Sequence, residues 1–193
     1  MRHTKVGNVG TTIISSMKQL KSLGLCRTEI NHGDIRNICA LTDLQSLDIG
    51  LSNMNKDLLS FVCSKLRNLT SLDLGSTWIG DSEVKVICEK LPKLTSLNLG
   101  CNGSITHDSL VQLAKLSQLS CLSLRGCSQI GSDPELDLQV ICLMKSLTTL
   151  DLDGTIFKED HIEKIKLALA PKLKTLIYEV LVYEKDEDDI RYC

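Results

Sequence analysis

A short block of alternating hydrophobic and polar residues recurs along this chain. The pattern Leu-x-x-Leu-x-Leu/Ile begins at six leucines, and a weaker copy begins at a seventh. The successive starting positions are Leu20, Leu44, Leu69, Leu94, Leu119, Leu147 and Leu173, which gives spacings of 24, 25, 25, 25, 28 and 26 residues. Near-constant spacing of this kind indicates a solenoid, in which each unit buries its apolar side only by stacking on its neighbours.

Each unit predicts a strand followed by a helix. In the copy at 69–74, Leu72 and Leu74 alternate with polar residues, as in a strand with one buried face. The segment 81–91 has apolar residues at helical spacing, and Asp81 is the expected N-cap. The same reasoning predicts helices over 56–66, 107–116, 135–144 and 159–170. A capping acid followed by proline, Asp133 and Pro134, predicts the start of the third of these.

The expected fold is therefore an α/β leucine-repeat solenoid of about seven repeats. A curved parallel sheet lies on the concave side and helices lie on the convex side. The repeat domain is expected to span 1–183, with an N-terminal cap over 1–19 that includes a short helix over 11–19, repeats over 20–172 and a C-terminal capping strand over 173–183. Residues 184–193 form a charged tail, either solvated or acting as an acidic docking segment.

Two small-residue columns follow from the repeat. Four cysteines, Cys39, Cys63, Cys88 and Cys142, recur five or six residues before the next repeat's first leucine, and Ala114 fills this position in the fourth repeat. This recurrence, and the absence of a CxxC pair among nine cysteines, indicate reduced thiols packed as small apolar groups. The third residue after the last leucine or isoleucine of each strand is expected to hydrogen-bond to the turn backbone: Thr28, Ser52, Thr77, Asn102, Cys127 and Thr155.

The chain resembles the leucine-rich-repeat superfamily, nearest to its ribonuclease-inhibitor-like and cysteine-containing branches. The resemblance rests on Leu-x-x-Leu-x-Leu-x-x-Asn/Cys/Thr and on Ile-Gly-Asp/Ser at 79–81 and 130–132, and it covers about 11–183. It implies a protein-binding function. A compact array without an F-box, kinase or nucleotidase segment is also similar to the repeat effectors of intracellular bacteria such as Legionella.

Strand residues that point away from the core are the expected partner-binding positions. They form a serine-rich column, an acidic column and a glycine-rich column, with Trp78 at the adjacent turn. The predicted binding residues are Asp48, Asp73, Trp78, Asn98, Cys121, Ser123, Arg125, Asp151, Asp153 and Glu179. The carboxylates either bind a basic feature of a partner or only keep an exposed sheet soluble. Trp78 either points outward as an interface anchor or folds back over Asn53 or Gly103.

Charge and composition narrow the possible functions. The net charge of −2, from 22 basic and 24 acidic residues, predicts no nucleic-acid or membrane-surface binding. The sequence has no apolar run long enough for a membrane span and no secretory signal, which favours a reducing cytoplasmic location, or a host cytosol for a translocated effector. Its four histidines are widely separated, and no catalytic or zinc motif is present, so neither enzymatic activity nor a metal or cofactor is expected.

The expected function is recognition of another protein through the concave face. In the first hypothesis, the chain binds as a monomer in a one-to-one complex and covers the active site of an enzyme with a basic cleft. The alternative is a passive adaptor, or a host-directed effector, that recruits a target without altering its activity. A purely structural array is a third possibility.

Overall fold

The computed structural model describes residues 7–179, in which seven helices alternate with seven strands. The helices are α1 (Gly7–Ser15), α2 (His32–Ile38), α3 (Lys56–Lys65), α4 (Asp81–Lys90), α5 (His107–Leu113), α6 (Pro134–Ile141) and α7 (Glu159–Leu169). The strands are β1 (Ser22–Gly24), β2 (Ser46–Asp48), β3 (Ser71–Asp73), β4 (Ser96–Asn98), β5 (Cys121–Ser123), β6 (Thr149–Asp151) and β7 (Thr175–Ile177).

The strands form one open parallel sheet in chain order from β1 to β7. Its register aligns equivalent repeat positions, so that Leu72 of β3 pairs with Leu97 of β4. Backbone hydrogen bonds continue beyond the strands, since the N–H of Ser76 donates to the carbonyl oxygen of Gly100 at 2.8 Å. The predicted solenoid of about seven repeats is confirmed.

The helices form a second layer in which each helix packs against the next. The strand leucines and the apolar helix positions are buried together in one cluster, as Leu72, Leu74, Val84 and Ile87 of a single repeat show. Burying a leucine side chain contributes about 2 kcal/mol. The core is therefore a continuous aliphatic layer between the sheet and the helices. No helix within residues 7–179 has the length and apolarity to cross a bilayer.

The cysteine column lies in this layer, as predicted. Cys39, Cys63 and Cys88 are buried, while Cys142 and Ala114 are half-buried. The eight cysteines within the described part of the chain are all free thiols. Burial raises the pKa of Cys39 to about 11, and it raises the pKa of Cys63 and Cys88 to about 12. At neutral pH these side chains are protonated packing groups.

The small polar residues after the strands bind turn backbone, which confirms their predicted role. The hydroxyl of Thr77 donates to the carbonyl oxygen of Leu74 at 2.6 Å, and Thr155 repeats this bond to Leu152 at 2.6 Å. Asn102 makes more bonds than any of the others in this column. In five of the six turns, a carbonyl group is therefore satisfied by a side chain three residues further on. The thiol of Cys127 instead donates to the carbonyl oxygen of Leu99 in the preceding repeat, at 3.3 Å.

The residue directly before each of these small turn-binding residues adopts a left-handed backbone conformation in six successive repeats. The positions and φ values are Arg27 (59°), Leu51 (61°), Ser76 (56°), Cys101 (56°), Gly126 (64°) and Gly154 (69°). Glycine adopts this conformation without a steric penalty, whereas other residues pay about 1–2 kcal/mol. Four of the six turns therefore accept some backbone strain.

Some expected helix boundaries were wrong. The N-terminal helix begins at Gly7 and ends at Ser15, so it does not cover 11–19. The N-cap of α4 is Gly80, and Asp81 is its first helical residue. The predicted cap at Asp133 is confirmed, with Pro134 as the first residue of α6. The C-terminal capping strand predicted over 173–183 includes β7, but its last residues, 180–183, lie outside the described residues. The tail predicted at 184–193 also lies outside them.

Asp81 instead joins α4 to the start of α5. Its carboxylate accepts hydrogen bonds from the N–H of Thr106 at 2.9 Å, the hydroxyl of Thr106 at 2.7 Å and the hydroxyl of Ser109 at 2.5 Å. Partial burial opposes the negative charge, but these hydrogen bonds outweigh burial and lower the pKa of Asp81. The sequence pattern of one repeat does not show this contact because its partners belong to the next repeat.

Candidate functional site

The outer sheet face is the side of the sheet directed away from the helices. Its first column consists of the first strand residues: Ser22, Ser46, Ser71, Ser96, Cys121, Thr149 and Thr175. The five central members are half-exposed and the two terminal members are exposed, whereas the leucines that follow the central members are buried. The predicted alternation of faces is therefore present along the sheet.

The second column contains Asp48, Asp73, Asn98, Ser123 and Asp151, all half-exposed. Asp48 accepts a hydrogen bond from the N–H of Gly50 at 3.0 Å, and Asp73 accepts one from the N–H of Gly75 at 2.9 Å. Asn98 and Asp151 bind the backbone N–H two residues ahead in the same way, at 2.9 and 3.1 Å. These side chains stabilise the turns as well as facing solvent.

Lateral hydrogen bonds connect part of this second column. The amide of Asn98 donates to Asp73 at 2.9 Å, and the hydroxyl of Ser123 donates to Asp151 at 3.2 Å. Burial, together with the neighbouring charge of Asp73, raises the pKa of Asp48, although its bond from Gly50 opposes the shift. Within residues 7–179, no cation forms an ion pair with Asp48 or Asp73.

The third column follows the strands and contains glycine in three consecutive repeats. A Cβ at Gly50 would approach the carbonyl oxygen of Gly75 to 3.2 Å, so a larger residue there would require the neighbouring turn to shift by a few tenths of an ångström. In the later repeats, Arg125 and Asp153 form an ion pair of 2.7 Å, and the carboxylate of Asp153 is largely buried. Glu179 is exposed at the end of the described chain.

The turn rim is the row of turns that follow the strands, at 26–29, 50–53, 75–78, 100–103, 125–128 and 153–156. Trp78 is 87% exposed, so it does not fold back over a neighbouring turn, and its φ of 63° is unusual for a bulky residue. Leu51, in the preceding repeat, is 51% exposed. A groove of about 540 Å³ beside Leu51 is also lined by Arg27, Glu29, Ile30 and Asn53.

The predicted binding residues fall into two groups along the outer sheet face and the turn rim. Asp48, Asp73, Trp78 and Asn98 belong to the second, third and fourth repeats. Cys121, Ser123, Arg125, Asp151 and Asp153 belong to the fifth and sixth, and Glu179 follows β7. The sequence-based reasoning missed Leu51, although an apolar residue directly after the turn glycine Gly50 could have indicated it.

The three histidines within residues 7–179 lie near the starts of helices. His107 pairs with the buried carboxylate of Asp137 at 2.8 Å, and His32 contacts the carbonyl oxygen of Asn53 at 3.2 Å. His161 is buried near the start of α7. Residues 7–179 include no group of three or more histidine, cysteine or acidic side chains arranged to hold a metal ion.

Comparison with known proteins places this architecture among repeat proteins. A family model for the leucine-rich repeat matches residues 65–88 and 90–114. No curated protein matches the sequence significantly. The structure is similar to TLR13 in its complex with ssRNA13, with 20% identity and a TM-score of 0.60 over 84% of this chain and 22% of the TLR13 chain.

Two further solved structures have the same fold. Rad7, in the yeast complex of Rad7 and Elc1, is 24% identical with a TM-score of 0.52, covering 75% of this chain and 37% of that chain. The functional domain of InlJ from Listeria monocytogenes, described as including a cysteine ladder, is 18% identical with a TM-score of 0.52, covering 86% and 37%. This chain thus spans well under half the length of these three chains. The repeat register and the two-layer architecture, together with the family match over 65–88 and 90–114, show that this chain has the leucine-rich-repeat solenoid fold.

Proposed function

We propose that this chain is a protein-binding module that recognises a partner protein through its outer sheet face and turn rim. The observation that supports this proposal is the row of half-exposed and exposed side chains on seven strands in uniform register. A rigid array of hydroxyl, amide and carboxylate groups presents hydrogen-bonding groups at fixed spacings of about 4.8 Å. Such a surface suits an extensive interface with one folded partner.

The fold also favours this proposal. Rad7 is similar over most of this chain, and its structure was solved as a complex with the protein Elc1. The TLR13 structure is a complex with RNA, but no cation within residues 7–179 forms an ion pair with Asp48 or Asp73, and these carboxylates would repel a phosphate backbone. A protein partner is therefore favoured over a nucleic acid.

The specific form of the proposal is inhibition or regulation of an enzyme with a basic cleft. The chain binds as a monomer in a one-to-one complex, and its carboxylates meet the cationic groups of the partner. The free buried thiols are compatible with a reducing compartment. A passive adaptor or bacterial effector that leaves its target active is the alternative outcome of the experiments below.

The test is affinity capture from native lysate with variants that alter the outer sheet face without removing a turn cap. Ser71 and Ser96 are half-exposed, and their hydroxyls make no hydrogen bond within the described residues. Ser71→Arg/Ser96→Arg should therefore block the face and retain the fold. Gln118→Arg/Gln139→Arg adds the same charge at exposed positions away from the face and serves as the matched control.

We expect one stoichiometric partner to bind the wild type and the control, and to be lost from the outer-face variant. Retention of that partner by the outer-face variant would contradict the proposed binding face. With the purified partner, loss of its activity in a one-to-one complex supports inhibition, whereas full activity and simultaneous binding of a second protein indicate an adaptor.

A further inference from the structure

We propose that the turn rim of the second and third repeats is the anchor for a partner segment in which a lysine or arginine lies beside an apolar side chain. This N-terminal rim consists of Leu51 and Trp78, with the carboxylates of Asp48 and Asp73 on the adjoining strands. The inference rests on the proposed protein-binding function, and it specifies which part of the surface selects the partner and by what chemistry.

The first observation is the exposure of two large apolar side chains in adjacent repeats. Leu51 is 51% exposed and Trp78 is 87% exposed, although the described chain buries most of its leucines in the core. The equivalents of Leu51 are Arg27, Ser76, Cys101, Gly126 and Gly154, and the equivalents of Trp78 are Glu29, Asn53, Gly103, Ser128 and Ile156. Large apolar groups therefore occupy these positions mainly in the second and third repeats.

The second observation is that both residues have an unfavourable backbone conformation. Leu51 has φ 61° and Trp78 has φ 63°, in the left-handed region where bulky side chains are disfavoured. The core does not account for either side chain, since both are exposed. The left-handed φ of Leu51 is shared by the equivalent residues of the other turns, whereas none of the equivalents of Trp78 has one. The strain that distinguishes this site is therefore that of Trp78, and strain of this kind clusters at binding sites.

The third observation is the charge beside these apolar groups. Asp48 and Asp73 pair across neighbouring strands, and no cation within residues 7–179 forms an ion pair with either. Burial and the charges of both carboxylates raise the pKa of the Cys26 thiol, so their field reaches the turn of the first repeat. Asp153 differs from these two carboxylates, because it forms an ion pair of 2.7 Å with Arg125 of this chain.

These three observations together favour a cationic partner side chain with an apolar neighbour. A lysine or arginine head group would neutralise both carboxylates, and its methylene stem or guanidinium plane would pack against the indole ring of Trp78. An adjacent apolar side chain would contact Leu51 and the groove beside it. An acidic peptide or a nucleic acid would be repelled by the same carboxylates.

The experiment uses Trp78 as its own probe, because the chain contains only one tryptophan. The full chain is titrated with acetyl-Gly-Lys-Leu-Gly-Lys-Leu-Gly-amide while tryptophan emission is recorded. The matched probes replace both lysines by glutamate, replace both leucines by serine, or substitute a single-stranded RNA oligonucleotide. We expect a saturable blue shift with the first peptide and at least tenfold weaker binding of each of the others.

A matched pair of variants then tests the carboxylates. Asp48→Asn/Asp73→Asn removes both charges but keeps an oxygen that can accept from Gly50 and Gly75, as Asn98 does for Gly100 at 2.9 Å. We expect this variant to bind the basic peptide about tenfold more weakly. Asp151→Asn removes one charge further along the same column and should change binding less than twofold.

Equal binding of the basic and acidic peptides, an RNA-induced shift, or unchanged binding by Asp48→Asn/Asp73→Asn would overturn this inference. Its failure is distinguishable from failure of the proposed function. If the captured partner requires the Ser71 and Ser96 surface but leaves Trp78 emission unchanged, only the anchor is wrong. If the partner is also insensitive to Ser71→Arg/Ser96→Arg, the outer-face proposal fails as well.

Discussion

Asn102 of the fourth repeat donates a hydrogen bond from Nδ2 to the carbonyl oxygen of Leu74 in the third repeat, across 2.9 Å. The same amide donates to Leu99 at 2.9 Å, and its oxygen accepts from the N–H groups of Thr77 at 3.1 Å and Ile79 at 3.2 Å. Asn102 is 1% exposed, so water cannot replace these bonds in the folded state. One side chain therefore joins the turns of two repeats.

We predict that Asn102→Ala destabilises the protein more than any other single substitution in its column. The substitution leaves buried N–H and carbonyl groups without partners, so the free energy of unfolding should fall by roughly 3 kcal/mol or more. Ser52→Ala is the control, because Ser52 makes one bond to Ile49, and it should cost about 1 kcal/mol. Urea unfolding measures both values, and similar losses would refute the bridging role of Asn102.

A second prediction concerns the backbone strain at Trp78. Trp78→Gly and Trp78→Ala both remove the indole ring, but only glycine adopts φ 63° without a steric penalty. The glycine variant should therefore be more stable than the alanine variant by about 1 kcal/mol. The controls are Glu89→Gly and Glu89→Ala at an exposed helical position, where the order should reverse. There the glycine variant should be less stable than the alanine variant by about 1 kcal/mol. Denaturant unfolding of the four variants tests this difference in sign.

A third prediction follows from the buried thiols. Burial raises the pKa of Cys63 and Cys88 from the ordinary value of 9.0 to about 12, so the folded state holds these protons more tightly than the unfolded state. Their contribution to stability is complete below pH 9, and it is lost as the pH rises towards 12. Each thiol contributes a slope of about 1.4 kcal/mol per pH unit within that window.

The measurement is the free energy of unfolding between pH 7 and pH 10.5 for the wild type and Cys88→Ala. Ala114 occupies the equivalent position in the fourth repeat, so the repeat tolerates alanine there. The variant should be less stable at pH 7 because it loses packing, but its stability should decline less steeply with pH. Parallel curves would show that ionisation of Cys88 is not linked to unfolding.

The fourth prediction concerns acid stability. Hydrogen bonds from Ser109 and Thr106 lower the pKa of Asp81 below its ordinary 3.8. A lowered carboxyl pKa stabilises the fold above the unfolded value, and this stabilisation is lost as the pH falls through the folded value. Asp81→Asn should weaken the contact between α4 and α5 at pH 7 and flatten the loss of stability below pH 4. Circular dichroism during acid titration tests this, with Asp57→Asn, an exposed helix-start acid, as the control.

The leucine spacing predicted the sheet register and the turn column because each repeat uses the same short-range pattern. Contacts between repeats were less predictable, since the bond from Thr106 to Asp81 joins residues 25 positions apart. The capping role of Asp48 was also missed, although aspartate two residues before Gly50 is a recognisable turn arrangement. The exposure of Leu51 depends on the left-handed turn, which the periodicity of leucines does not specify.

The difference between the first two columns of the outer sheet face has a consequence for how this protein can change. The carboxylates of the second column accept hydrogen bonds from backbone N–H groups of their own turns, so replacing them alters the backbone as well as the surface. The hydroxyls of Ser46, Ser71 and Ser96 make no hydrogen bond within the described residues, and these three side chains are half-exposed. New partner preferences can therefore accumulate by substitution along a single line of serines, while the residues that maintain the fold stay the same.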